Sequence, residues 1–106
     1  MKSKSRTTTD RMPFPHPGKT ILEDYLEPLG MSVNRLAIGL RVPATRMGEI
    51  VHGRRGITAD TALRLARYFD TTPTFWLNLQ SAYDLAIASD RSQQEIVRTI
   101  QPRKAA

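Results

Sequence analysis

The sequence predicts an all-α domain built from five helices. Its apolar residues recur at spacings of three and four in five stretches, as a helix with one buried face requires. Residues that commonly cap helices, namely Ser32, Thr58 and Thr72, stand directly before three of these stretches. No run of alternating apolar and polar residues and no hairpin turn signal indicates a strand. A length of 106 residues fits one domain with one modest core.

The first predicted helix begins at Pro17, whose missing N–H would have no partner in a first turn anyway. Pro28 is expected to disturb the end of this helix, because proline cannot continue the backbone hydrogen bonding. The predicted buried face consists of Ile21, Leu22, Tyr25 and Leu26, and can extend to Leu29.

Residues 32–53 predict a helix-turn-helix. Ser32 caps a short helix that ends at a tight junction over residues 41–43, and Pro43 opens the next helix. Gly53 supplies a left-handed residue after it. The predicted buried faces are Val33, Leu36, Ala37 and Leu40 in the first helix, and Met47, Ile50 and Val51 in the second. Such a pair could be an ordinary corner of a core, but the arginines beside it favour DNA binding.

Two further helices complete the predicted domain. Thr58 caps the fourth, and Ile57 is placed to pack against its start as a hydrophobic staple. Thr72 and Pro73 form a cap and first-turn pair for the fifth, which is expected to be the longest. The fourth helix has Ala62, Leu65, Ala66 and Phe69 on its predicted buried face.

The fifth helix carries more apolar surface than one core contact needs. Its main stripe is Phe75, Trp76, Leu79, Tyr83 and Ala86, and Leu77, Ala82, Leu85 and Ile87 widen it. A helix that is apolar over most of its circumference has to be covered on both sides, so we expect a homodimer. The alternative is a central helix covered by its own domain. The residues expected at the dimer contact are Trp76, Leu79, Tyr83 and Ile87.

Positive charge is concentrated in three parts of the chain. The net charge is +6 and the pI is about 10.3, which favours an anionic partner without separating DNA from RNA or a membrane surface. Residues 1–15 are an expected flexible basic arm, which either contacts phosphates or is only a solvated tail. Residues 90–106 are an expected basic tail or short helix after a domain at residues 16–89. The third part is a cluster of Arg41, Arg46, Arg54 and Arg55.

Several classes of protein are disfavoured by what the sequence lacks. It has no cysteine for disulfides or thiolate metal sites, and no apolar run long enough for a membrane span. Its basic N-terminus is not followed by the apolar region of a secretory signal. We therefore expect a cytoplasmic, nucleoid-associated protein without a membrane partner.

An enzyme and an RNA-binding module are both less favoured than a DNA-binding protein. The sequence has two histidines, His16 and His52, but neither belongs to an HExxH motif, and no glycine-rich loop that could cradle a phosphate accompanies them. We therefore expect no enzymatic activity, metal or cofactor. His16 is expected at a helix entry, and His52 at a phosphate or on the surface. RNA readers usually need exposed stacking aromatics, whereas Phe75, Trp76 and Tyr83 lie on the apolar helix.

Three longer segments carry a family resemblance: HPGKTILEDYLEPLGMS at 16–32, TRMGEIVHGRRGITADTALRLARYF at 45–69 and TPTFWLNLQSAYDL at 72–85. Together they resemble the HigA-type antitoxins within the XRE family of phage-repressor-like helix-turn-helix proteins. The stretch GITADTALRLARYF followed by FWLNLQ is highly specific to that group, whereas the helix-turn-helix alone is moderately specific.

The resemblance implies a five-helix phage-repressor-like domain that dimerises through its C-terminal region, while the sequence leaves open an extra C-terminal helix from Asp90 onwards. It also implies an antitoxin with two partners. One is double-stranded operator DNA, which the antitoxin binds to repress its own operon. The other is a HigB/RelE-like toxin, a ribosome-dependent mRNA endonuclease that it silences by direct binding. The alternative is an orphan XRE-family regulator without a toxin.

Site residues follow from the resemblance by position. It implies base-reading side chains at Ala44, Thr45, Arg46 and Glu49, and backbone contacts at Ser32, His52, Arg54 and Arg55. Val33 stands where many phage repressors carry a polar phosphate contact, so Asn34 or backbone N–H groups are expected to take that role. Arg46 is expected to read sequence, because a guanidinium can bond O6 and N7 of guanine together. Glu49 either accepts from cytosine or orients Arg46 one turn away.

Three further positions, besides Val33, depart from the usual family pattern. Arg41 and Asp70 stand where helix-ending glycines are common, and a side chain held at positive φ costs about 1 kcal/mol, less for Asp. The second helix of the helix-turn-helix, which carries the predicted base-reading residues, is called the reading helix below. Gly48 falls on its exposed face, where it lowers helix stability by roughly 1 kcal/mol relative to alanine. It could instead permit a close approach to the duplex.

Overall fold

A computed structural model describes residues 14–104, and over this range the chain forms five helices and no strand. This confirms the predicted all-α, five-helix class. We label the helices α1 (residues 17–29), α2 (Val33–Leu40), α3 (Ala44–Val51), α4 (Ala59–Phe69) and α5 (Pro73–Thr99). Within the described range, no helix has both the length and the hydropathy needed to cross a membrane.

Helix α1 changes its winding along its length. It is α-helical over Pro17–Thr20, a wider π-helix over Ile21–Leu26, and α-helical again over Glu27–Leu29. The Glu27 N–H donates to the Leu22 carbonyl five residues back. Because the Pro28 ring would clash with the carbonyl four residues before it, the wider turn makes room for the ring. Pro28 therefore alters the turns before it, and α1 ends at Gly30, with φ 62°.

The predicted caps are present at three helix starts. The hydroxyl oxygens of Ser32, Thr58 and Thr72 accept hydrogen bonds from backbone N–H groups three residues on, at 3.0, 3.3 and 3.1 Å respectively. Pro17 is the first residue of α1, as predicted. Pro43 differs from the prediction, because its extended backbone (ψ 141°) makes it the residue before α3 and the helix begins at Ala44.

Two helices end in left-handed residues that are not glycine. Arg41 after α2 has φ 60°, and Asp70 after α4 has φ 58°. Both positions match the sequence prediction, and each is strained by about 1 kcal/mol or less relative to glycine. At Arg41 the strained residue makes the turn of the helix-turn-helix, because its N–H and the Val42 N–H donate back to the last turn of α2.

Trp76 lies at the centre of the core. Its side chain is 0% exposed, its ring contacts those of Tyr25 and Phe75 at centroid distances of 5.2 and 4.9 Å, and its Nε1 donates to the Thr71 hydroxyl at 2.7 Å. The expectation that Trp76 forms a dimer contact is therefore wrong, because the chain's own helices cover it completely. Six further large aliphatic or methionine side chains are fully buried, and they come from all of the first four helices: Ile21, Leu26, Leu36, Met47, Ile50 and Leu65.

Helix α5 continues without a break beyond residue 90. It spans 27 residues and is the longest helix in the described range, as predicted. Residues 90–99 extend this helix and do not make a separate tail or additional helix, since no proline or glycine interrupts the chain there. Beyond the core, Leu85, Ile96, Val97 and Ile100 are exposed.

The first turn of α1 packs directly against the backbone of α3. A Cβ built on Gly18 would lie 1.9 Å from the Ile50 carbonyl oxygen and 2.9 Å from the Val51 Cα. Backbone atoms cannot rotate away as a flexible side chain can, so only glycine allows this approach. This contact sets the distance between α1 and α3.

His16 joins three parts of the fold. Its Nδ1 accepts the Gly18 N–H at 2.9 Å and caps α1, and its ring meets that of Tyr83 edge-on at 4.9 Å. Burial lowers the pKa of His16 below its ordinary value of 6.5, against the opposing effects of Asp84 and a hydrogen bond to the Arg55 backbone. The neutral form is also the one that can accept the Gly18 hydrogen bond.

We predict that Gly18→Ala lowers the free energy of unfolding by about 2 kcal/mol or more, because the new methyl group must push α1 and α3 apart. Gly48→Ala is the matched control, since a Cβ there has no neighbour within 4 Å and should raise helix stability by about 1 kcal/mol. Urea unfolding followed by circular dichroism measures both changes. Equal stability of the two variants would contradict the packing argument.

We also predict that the free energy of unfolding decreases as the pH drops from 6.5, the ordinary pKa of histidine, towards the lower pKa of His16 in the folded chain. In that range the unfolded chain binds the proton more readily than the folded chain, so acid favours unfolding. His16→Asn keeps a capping oxygen but cannot titrate, and should lose this part of the pH dependence. His52→Asn is the control, because it removes the other histidine and leaves the His16 cap of α1 in place. Denaturation midpoints between pH 7.5 and 5 that decline equally in wild type and His16→Asn would refute the assignment.

Candidate nucleic-acid interface

Helices α2 and α3 pack through their predicted apolar faces. The buried residues are Leu36, Ala37 and Leu40 of α2 and Met47, Ile50 and Val51 of α3, with Val42 of the turn beside them. This arrangement confirms the predicted inward faces of the helix-turn-helix, although Val33 is only partly buried. Because α3 is fixed on one side, its opposite side faces outward.

The outward face of α3 carries the residues predicted to read bases. Ala44 and Thr45 are exposed, while Arg46 and Glu49 are half-buried. Gly48 opens the middle of this face, since nothing lies within 4 Å of where its Cβ would be. The face is therefore small and polar. The residues predicted to contact the DNA backbone are all exposed: Ser32, Asn34, His52, Arg54 and Arg55.

The two charged base-reading candidates pair with partners outside α3. Arg46 Nη1 lies 3.5 Å from Asp60 Oδ2, and Glu49 Oε1 accepts from Arg55 Nε at 2.7 Å. The expectation that Glu49 orients Arg46 is therefore not realised in this structure, because the carboxylate of Glu49 turns towards Arg55. Both ion pairs are accessible to solvent.

Arg64 stabilises the turn of the helix-turn-helix from α4. Its Nη1 donates to the carbonyl oxygens of Leu40 and Arg41 at 2.9 and 3.3 Å, and its Nε donates to Asp60 Oδ2 at 2.9 Å. The cation thus satisfies carbonyl groups at the C-terminal end of α2, where the helix dipole is negative. This role of Arg64 was not predicted, although the sequence shows the four-residue spacing of Asp60 and Arg64 that allows their ion pair on one helix face.

The loop after α3 is held by α5. Gln80 Oε1 accepts from the Ile57 N–H at 2.7 Å, and Gln80 Nε2 donates to Asp84 Oδ1 at 3.0 Å. Gly56 allows this contact, because a Cβ there would lie 3.1 Å from the Gln80 amide. Gln80 was also missed, since no local pattern links it to a loop 23 residues earlier. The effect is to fix the segment that presents Arg54 and Arg55.

The electrostatics of this surface are set by arginines around two carboxylates. Hydrogen bonding from Arg64, with the nearby charge of Arg46, lowers the pKa of Asp60 below its ordinary value. His52 Nδ1 donates to the Gly48 carbonyl at 2.7 Å, which leaves Nε2 available to other groups. Within residues 14–104, no three side chains of His, Cys, Asp or Glu are grouped as a metal site would require.

Known structures share this arrangement over nearly the whole chain. A structure of Pseudomonas aeruginosa antitoxin HigA with the higBA promoter matches with a TM-score of 0.83 and 42% identity, covering 86% of this chain and 99% of that one. Antitoxin HigA-1 of Vibrio cholerae is 35% identical over 78 residues, which are 74% of this chain and 73% of the relative. The chain belongs to the HigA family.

Another relative by sequence is virulence-associated protein I of Dichelobacter nodosus. It is 51% identical over 84 residues, which are 79% of this chain and 78% of the relative. No model of a protein family matches the chain. The three segments that carry the HigA resemblance comprise α1, then α3 with α4, and then the first half of α5. They therefore include the residues that surround Trp76 as well as those that build the outward face of α3.

Proposed function

We propose that this HigA-family chain is an antitoxin that represses its own operon through operator DNA and neutralises a HigB/RelE-like mRNA endonuclease toxin by binding it. The observation that carries the DNA-binding part is the small, arginine-flanked outward face of α3. The P. aeruginosa relative that shares this fold over 99% of its chain is described with the higBA promoter. An antitoxin of this kind acts in the cytoplasm at the nucleoid and is not itself an enzyme.

Helix α3 suits the major groove by its size and surface. Its eight residues make a helix about 12 Å long, and the groove is about 12 Å wide. Ala44 and Thr45 present small groups at its start, where recognition helices contact base edges. Arg46 follows one position later and can reach a guanine. Arg54 and Arg55 are exposed in the loop that follows α3 and are proposed to contact phosphates.

We propose that the chain acts on DNA as a homodimer. A two-fold dimer would present two copies of α3 about 34 Å apart, on successive faces of the major groove. Of the four residues expected at the dimer contact, Trp76 is used inside the chain, and Leu79 packs partly against the core. Tyr83 contacts His16, and Ile87 is half-buried. The exposed apolar residues farther along α5 offer additional surface to a second copy.

We predict different effects for two arginines on DNA binding. Arg46→Ala should lose about 1 to 3 kcal/mol of discrimination between operator and random duplex, because it removes a base contact. Arg54→Ala should weaken binding to both duplexes similarly and reduce the salt slope by about 0.9, because it removes a phosphate contact. Fluorescence anisotropy at several salt concentrations measures both effects. If both variants lose affinity equally for the two duplexes, this division of roles is wrong.

The toxin part of the proposal predicts a stable complex with a small basic RelE-like protein encoded beside this chain. Co-expression should yield a co-purifying pair, and the chain should suppress mRNA cleavage by that protein on translating ribosomes. The measurements are size-exclusion chromatography of the pair and primer extension on a reporter mRNA. A neighbouring toxin that remains active and separate from this chain would favour the orphan regulator instead.

A further inference from the structure

Asp60 is the one acidic side chain of the described range that contacts two arginines at the helix-turn-helix. Its Oδ2 lies 2.9 Å from Arg64 Nε and 3.5 Å from Arg46 Nη1. Arg46 belongs to the reading helix, whereas Asp60 lies in the first turn of α4. The Asp60 side chain is 58% exposed, so it is accessible to solvent beside the outward face of α3.

The position of this carboxylate is fixed from behind. Arg64 holds Asp60 with Nε and at the same time donates Nη1 to the carbonyls of Leu40 and Arg41. Asp60 is therefore tied to the end of α2 and cannot simply follow Arg46 when that side chain moves. The N-terminal turn of α4 also favours a negative charge at this position, because the helix dipole is positive there.

The contact leaves Arg46 able to bind a base. A guanidinium has five N–H donors in a planar fork, and the 3.5 Å approach to Asp60 uses only Nη1. Nη2 and Nε stay available for the paired acceptors O6 and N7 of guanine. A phosphate oxygen approaching the same place would meet the negative charge of Asp60, and like charges in contact are disfavoured.

We propose that Asp60 is a specificity-determining residue of the DNA-binding surface, which holds Arg46 ready for a base edge and opposes its use as a phosphate contact. This inference rests on the proposed DNA-binding function. The carboxylate acts through Arg46, so it is a positioning residue and makes no base contact of its own.

Asp60→Asn tests the proposal, because it removes the charge and keeps the shape. The probes are a duplex that the wild-type chain selects from a random-sequence library, and a random duplex of equal length. We expect about fivefold tighter binding of the random duplex, a salt slope steeper by about 0.9, and a specificity ratio about fivefold lower. If Asp60→Asn folds poorly, Asp60→Ser is used in its place, because serine is also compatible with the first turn of a helix.

Asp70→Asn is the matched control for charge. It raises the net charge by the same amount at the opposite end of α4, ten residues from Asp60 and therefore about 15 Å away along the helix. Asparagine also tolerates the left-handed backbone that Asp70 adopts. This variant should keep the specificity ratio of the wild type within about twofold, since salt-dependent attraction is shared by both duplexes.

A double-mutant cycle with Arg46→Ala separates a positioning role from a purely structural one. If Asp60 acts through Arg46, adding Asp60→Asn to Arg46→Ala leaves the specificity ratio unchanged. The proposal is overturned if Asp60→Asn lowers the specificity ratio in the Arg46→Ala background as well. It is also overturned if Asp60→Asn alone leaves the specificity ratio of the wild type unchanged. If the wild-type chain binds selected and random duplexes equally, the proposed DNA-binding function itself fails, and the two failures are thereby distinguished.

Discussion

The outward presentation of α3 depends on the backbone contact between its last turn and the first turn of α1. The missing side chain of Gly18 lets the two helices approach until a Cβ would lie 1.9 Å from the Ile50 carbonyl oxygen. At this distance Met47 and Ile50 are completely buried, so the opposite side of α3 has to face solvent. The adjacent cap residue His16 touches α5 through Tyr83 and thereby joins the long helix to this contact. The close approach of α1 to α3 at Gly18 thus fixes which side of the reading helix is exposed to solvent.

The basic surface is organised by its acidic residues as well as by its arginines. Asp60 and Glu49 each hold an arginine that would otherwise move freely, and Arg64 ties Asp60 to the turn. Exposed ion pairs of this kind contribute little to stability, because water and salt screen them. Their effect on side-chain position is larger than their effect on folding, since each pair restricts a long, flexible side chain to one direction.

Helix α5 has two roles along its length. Its first turns carry Trp76 and Leu79 into the core, and Gln80 in the next turn holds the loop that follows α3. Its last turns, with Ile96 and Val97 exposed, extend beyond the residues that form the core. Exposed apolar side chains on a projecting helix are typical of surfaces that another chain covers.

The sequence by itself determined the local features of this protein. Capping at Ser32, Thr58 and Thr72, and the left-handed ends at Arg41 and Asp70, depend on residues within one helical turn. The inward faces of α2 and α3 and the HigA family could be predicted for the same reason, because periodicity and motif spacing are properties of a continuous stretch.

Only the tertiary structure decided which side chains meet. Trp76 looked like a dimer contact because its helix is apolar on several sides, and the packing of the other helices was needed to show that it is buried. Arg64 reaches the Leu40 carbonyl across 24 residues, and the ion pair of Arg46 with Asp60 likewise joins two helices. Such contacts depend on how close two helices come, and that distance is set by packing around residues such as Gly18, which no local pattern encodes.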